Sequence, residues 1–200
     1  MRVCIIFAQA GNDSFNHLIL NKVTDTCDKM GVDYTVRNLY QMNFNPVFSP
    51  PDMQNVESGQ VSADIEEEQQ VIIEADTLVM IYPVWWWSQP AILKGWIDRV
   101  FTNNFAFRYE AKGPVGLLTN KKAIVFTTTR ESDAEMKQEG FDQVLKKQIA
   151  DGVLTFSGFS PVLYRNFAKV PYLDNNGRQQ VLDQVEKTIK GMVGQQLITS

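Results

Sequence analysis

The sequence predicts an α/β protein: a doubly wound parallel sheet of five strands in the order 2-1-3-4-5, with helices on both faces. Three features carry that expectation. Short apolar runs recur along the chain, mostly without alternation, which marks strands buried on both faces. Segments with helical apolar spacing lie between them. Strand and helix alternate throughout, as right-handed crossovers between parallel strands require.

Val3 to Ala8 is the first strand, a continuous and partly β-branched apolar run. Ser14 is the candidate N-cap of the first helix. Its stripe is Phe15, Leu18, Ile19, Val23, Cys27 and Met30, and Gly31 stops it. Tyr34 to Leu39 alternates and forms the second strand. Gln41 to Gln60 holds three prolines and no period, so it reads as a long surface excursion. Ser62 heads the next helix, where Asp64, Glu66 and Glu67 suit the positive end of the macrodipole. Thr77 to Tyr82 is the third strand, ended by Pro83. Pro90 opens a helix carrying Ile92, Leu93, Trp96, Ile97, Val100 and Phe101. Ala123 to Thr127 is the fourth strand. Phe141, Val144, Leu145 and Ile149 stripe one further helix. Pro161 to Phe167 is a weaker fifth strand, and Val181, Leu182, Val185, Ile189 and Met192 make the last helix.

Two hundred residues suit a single domain over 1–200, and an apolar fraction of 44% suits a globular core. The net charge of −4 is spread out, with no basic patch for nucleic acid. No apolar run is long enough for membrane insertion or a signal-peptide core, so a cytoplasmic protein is expected. Cys4 and Cys27, the only cysteines, read as reduced core residues. Two thiols and one histidine give no basis for a metal site. That histidine, His17, reads as surface or partly buried. No Ser/His/Asp arrangement, paired carboxylates or nucleophile elbow supports hydrolysis.

In such a sheet, ligands bind beyond the carboxyl ends of the strands, at the switch point between strands one and three. Three loops converge there. Gln9 to Ser14 runs into a helix N-terminus, where backbone N–H groups suit phosphate; it is equally an ordinary capped helix start. Asp13 counts against phosphate unless it points away. Pro83 to Gln89 places Trp85, Trp86 and Trp87 in succession at a strand end. Consecutive tryptophans cannot all face a core, so some must cover a planar ligand, a loop or a partner chain. Thr127, Thr128, Thr129 and Arg130 supply hydroxyls and one cation; Arg130 is a candidate for offsetting negative charge, or only part of a solvated charge group.

The run Gln89-Pro90-Ala91-Ile92-Leu93-Lys94-Gly95-Trp96-Ile97-Asp98-Arg99-Val100-Phe101, with Ser14-Phe15-Asn16 and Phe105 to Tyr109, resembles the NAD(P)H:quinone oxidoreductases. That family includes DT-diaphorase, the modulator of drug activity B, general stress protein 14 and the ancillary flavoprotein of potassium efflux systems. The resemblance covers nearly the whole chain and weakens after about Thr129. It implies a flavodoxin-like fold, a bound flavin (FAD, with FMN as the alternative) and NAD(P)H as co-substrate. Gln9, Ser14, Phe15 and Asn16 match positions that contact the flavin phosphates. Pro83, Val84, Trp86, Trp87 and Thr127 match positions facing the isoalloxazine, and Trp85, Thr128 and Thr129 complete the cofactor-binding loops. Arg178 matches an arginine near the adenylate end of FAD. Phe107 and Tyr109 match aromatics that reach the other subunit's active site in a homodimer, and with Trp86 form the expected substrate pocket.

The implied activity is hydride transfer from NAD(P)H, through the flavin, to a quinone or similar flat small-molecule acceptor, with ping-pong kinetics. The flavin carries the hydride, so no side chain is assigned a catalytic role beyond Arg130. Two other readings stand beside it: a flavodoxin-like electron carrier, and a regulatory subunit of a membrane transporter. The sequence departs from the family in three places. The phosphate-loop histidine is Gln9, the Gly-Gly after the fourth strand is Thr129-Arg130, and the tyrosine and histidine that assist flavin protonation have no counterparts.

Overall fold

The computed structural model describes residues 1–194. The single-domain reading of 1–200 therefore extends beyond the described residues at 195–200. Five strands, β1 (Arg2–Phe7), β2 (Asp33–Asn38), β3 (Thr77–Pro83), β6 (Lys122–Thr128) and β7 (Val162–Phe167), form one sheet in the order β2-β1-β3-β6-β7. All four pairings are parallel. This is the predicted 2-1-3-4-5 order, because β4 (Phe107–Glu110) and β5 (Gly113–Gly116) form a separate antiparallel hairpin. Strand alternation sorts the core. Val3, Ile5 and Phe7 of β1 pack beneath α1 (Phe15–Met30) and α7 (Asn175–Gly194). Cys4, Ile6 and Ala8 face α3 (Ala63–Glu74), α4 (Ala91–Val100) and the π-helix Lys147–Thr155. Both thiols are buried and unpaired, and burial pushes them up, Cys4 to about 12 and Cys27 to about 11.

The structure corrects several expectations. The 41–60 excursion contains a helix, α2 (Pro50–Glu57), started by a reciprocal capping box between Ser49 and Asp52. Ser14 and Ser62 do occupy N-cap positions, but neither hydroxyl caps its helix. The expected helix through Phe141, Val144, Leu145 and Ile149 is α6 (Phe141–Lys146) running on into the π-helix, and a further helix, α5 (Asp133–Glu139), precedes it across Gly140, at φ 78°. The β4–β5 hairpin was not expected.

Buried charge ties the excursion to α4. Arg99 is 6% exposed and reaches Asp64 Oδ2 at 2.8 Å, Asp52 Oδ1 at 3.0 Å and the Asn45 carbonyl at 3.1 Å. Glu68, 1% exposed, accepts from Trp96 Nε1 at 2.9 Å and Arg37 Nε at 2.9 Å. The two layers meet at Gly95, where an added Cβ would lie 2.1 Å from the Pro46 carbonyl oxygen. That neighbour is backbone and cannot swing aside. Gly95→Ala is therefore expected to lower stability by about 1–3 kcal/mol through overpacking, read as a reduced midpoint in urea. A midpoint equal to wild type would mean that the excursion is not held against α4.

Candidate functional site at the carboxyl edge of the sheet

The predicted switch point lies where β1 and β3, adjacent in the sheet, send their connections to opposite faces. The three loops beyond it are joined. Val84 N–H donates to the Thr128 carbonyl at 2.9 Å, linking the loops after β3 and β6. Asn16, in the first turn of α1, donates through Nδ2 to Gln9 Oε1 at 2.8 Å and to Thr128 Oγ1 at 3.1 Å. Asn16 is 3% exposed, yet its Oδ1 has no partner. Ser14 spends its hydroxyl on His17 Nδ1, 3.0 Å away, and leaves the helix start open. The N–H groups of Phe15 and Asn16 make no hydrogen bond among the described residues. Such orphan donors at a helix N-terminus suit an anion.

The tryptophans make a two-residue turn. Trp85 and Ser88 exchange backbone hydrogen bonds at 3.0 and 3.1 Å, and Trp86 and Trp87 both have positive φ, 52° and 57°. Hairpin turns of this kind normally take Asn or Gly, and each bulky residue here costs on the order of 1–3 kcal/mol. The strain buys presentation. Trp86 is 97% exposed and Trp85 42%, whereas Trp87 stacks on Phe141 with ring centroids 3.7 Å apart. The N–H groups of Trp86 and Trp87 are unbonded among the described residues. Past β6, the N–H of Arg130 is likewise free, while its guanidinium lies 5.8 Å from the centre of the Tyr172 ring.

Two cavities flank the start of α1. One, of about 340 Å³, is lined by Ser14, Phe15, Val170 and Arg178, with Asp13 at the same rim. The other, of about 770 Å³, is lined by Gln9, Asn12, His17, Asn38 and Tyr40. Thr127, Thr128 and Thr129 are buried, and the Thr127 hydroxyl faces inward to Tyr164 OH and Asn166 Oδ1, each at 2.9 Å. Pro83 pairs in register with Thr128 at the sheet edge. Phe107 and Tyr109 stand apart on the hairpin, edge-on to each other at 5.8 Å, with Phe107 also 5.3 Å from Phe156. Tyr109 is 73% exposed.

Sequence reasoning missed Phe141, Tyr164 and Asn166. The last two sit two apart on β7, and that spacing was a readable signal that they share a face.

A flavin, which the sequence resemblance implies, fits this donor set. Free N–H groups stand in all three loops that follow β1, β3 and β6, together with an exposed indole and a helix start with an unused acceptor. The sequence matches the flavodoxin-like fold family over residues 1–189. It is 34% identical to an uncharacterized NAD(P)H oxidoreductase of Haemophilus influenzae, across 92% of this chain and 91% of that one. It is 31% identical to the NAD(P)H dehydrogenase [quinone] 1 of Rattus norvegicus, across 94% of this chain and 76% of that one. The solved NAD(P)H:quinone oxidoreductase of Methanothermobacter marburgensis superposes with a TM-score of 0.87 at 27% identity, covering 96% of both chains. Fold, strand order and relatives agree, and the chain belongs to the NAD(P)H:quinone oxidoreductases, enzymes of the flavodoxin-like fold.

Proposed function

We propose that the protein uses a bound flavin to pass two electrons, as hydride, from NAD(P)H to a quinone or similar flat acceptor. The observation that carries this reading is the strained tryptophan turn. It spends conformational energy to hold one indole in solvent and two N–H donors free, and a ligand stacked there recovers that cost. When bound, the flavin supplies the hydride chemistry itself. The protein's part is binding and positioning. The open N–H groups of Phe15 and Asn16 hold the phosphate, with Gln9 and Ser14 beside them. The Pro83–Trp87 segment supports the ring, and the Trp86, Trp87 and Arg130 N–H groups favour negative charge on it when reduced.

The cavity beside Arg178 is suited to an adenylate, which favours FAD over FMN. Trp86 leaves one open stacking face, so NAD(P)H and the acceptor take the same place in turn. A second copy of the chain covers that place with the Phe107 and Tyr109 arm, where Phe107 is half-buried against Phe156 and Tyr109 stands 73% exposed. The reading also puts the protein in the cytoplasm, where two buried thiols stay reduced.

The test is the absorbance of the purified protein, mass spectrometry of the released chromophore, and initial rates with donor and acceptor varied together. A yellow protein releasing FAD and giving parallel double-reciprocal lines is expected. A colourless protein that takes up neither FAD nor FMN would end the flavin reading, and intersecting lines would end the shared slot.

A further inference from the structure

Behind the third loop runs a row of polar side chains that the proposed function does not use. Tyr164 and Asn166, on β7, face the same side of the sheet as Thr127 of β6, and Thr127 pairs in register with Asn166. Thr127 Oγ1 donates to Asn166 Oδ1 at 2.9 Å, and Asn166 Nδ2 donates to Thr129 Oγ1 at 2.9 Å. A hydroxyl has one proton. Thr127 gives its proton to Asn166, so it must accept from the Tyr164 phenol, 2.9 Å away. Burial pushes that phenol up to about 12, and the donor keeps its proton. The row has one direction, from Tyr164 through Thr127 and Asn166 to Thr129.

Its end fixes backbone. Thr127 and Thr129 are 0% and 4% exposed, and Thr129 Oγ1 also reaches the Glu131 carbonyl at 3.4 Å. Between them, Thr128 accepts from Val84 N–H at 2.9 Å and from Asn16 Nδ2 at 3.1 Å. Thr129 N–H donates to the Phe167 carbonyl at 3.0 Å, and its own carbonyl accepts from Val170 at 3.1 Å. Every polar contact that orients this stretch is thus made up to Arg130, the first residue with a free N–H.

We propose that Asn166, oriented by Tyr164 through Thr127, is a positioning residue for the cofactor: it locks Thr127–Thr129 so that the Arg130 N–H is presented at the switch point. This rests on the flavin reading above and deepens it. Asn166 does not touch the ligand. Its effect passes through the loop, so it governs how tightly the ring is held and in what electrostatic surroundings.

The test compares wild type with Asn166→Leu, Asn166→Asp and Tyr164→Phe. Amide exchange is followed in the peptide spanning Thr127–Ser132 without added cofactor, together with FAD and FMN dissociation constants and the visible spectrum of bound flavin. Asn166→Leu keeps the branched shape and heavy-atom count and removes both hydrogen bonds. It is expected to speed exchange of the peptide about tenfold and to weaken flavin binding about tenfold, the worth of one to two half-buried hydrogen bonds. Asn166→Asp can still pair with both threonines, and should recover most of the affinity and protection. Tyr164→Phe removes one hydroxyl, remains informative if the leucine variant fails to fold, and should fall between wild type and leucine. If wild type binds flavin but the Leu and Phe variants match it in exchange, affinity and spectrum, the positioning role is wrong and the flavin reading stands. If wild type binds neither flavin, both fall.

Discussion

Replacing Arg99 with methionine is expected to destabilise the protein by about 3 kcal/mol, at the low end of the range for breaking a buried ion pair. The size follows from what is left behind. Methionine fills the channel of the arginine stem but leaves the Asp52 carboxylate, 11% exposed, without its cation. Asp64 is 53% exposed and can turn to water, so its half of the network adds little. The Asn45 carbonyl also loses its donor, and the Phe44 ring loses the guanidinium 5.5 Å from its centre. The sign with pH tests the electrostatic part. Burial alone would raise the Asp52 carboxyl, but hydrogen bonds from Arg99 and Ser49, with the Arg99 charge, outweigh it and hold the carboxyl below its usual value. Asp64 is held low in the same way, by its bonds to Ser62 and Arg99. A depressed carboxyl contributes stability fully above its unfolded value, about 4, and loses it as pH falls through the lower folded value. Urea melts at pH 7 and pH 3 should therefore show a large gap between wild type and Arg99→Met that narrows at pH 3. A gap unchanged by acid would mean that Arg99 stabilises by packing alone.

The same network explains part of what the sequence concealed. Helix α2 buries Asp52 rather than an apolar stripe, and reading by apolar period passes over a helix held by a capping box and an arginine from elsewhere. Ser49-Pro50-Pro51-Asp52 was the local sign of it. The hairpin was concealed differently. Its strands are four residues each, Gly113-Pro114 reads as a breaker, and Arg108, Tyr109 and Glu110 are exposed, so no alternation against a core marks them. The five sheet strands were legible because four are almost pure apolar runs or alternate cleanly, and topology then named the three loops. What those loops do to one another was not legible. The Asn16 bridge to Gln9 and Thr128 spans 112 residues, and the row from Tyr164 to Thr129 depends on strand register. On an edge strand, polar residues two apart look the same whether they face water or a neighbouring threonine.

Trp86→Gly should move stability and function in opposite directions, and this is the sharpest consequence of the strained turn. In the folded chain without ligand, the Trp86 side chain is 97% exposed and holds nothing together, while its backbone sits at φ 52°, where a bulky residue is strained. Glycine adopts that conformation without the penalty, though it gains more freedom on unfolding, so a net stabilisation of about 0.5–1 kcal/mol is expected. Flavin binding should suffer more than stability gains. The indole would be buried on stacking, and its loss should weaken binding by about 2 kcal/mol, roughly thirtyfold. Thermal melts of the cofactor-free protein and titration with FAD read the two halves separately. Trp87→Gly provides the contrast: its ring stacks on Phe141, so that variant relieves similar strain at φ 57° but loses a packing contact, and its melting temperature should not rise. If Trp86→Gly is less stable than wild type, the exposed indole is covered by protein in solution. If it is more stable and binds FAD unchanged, the strain serves something other than the flavin.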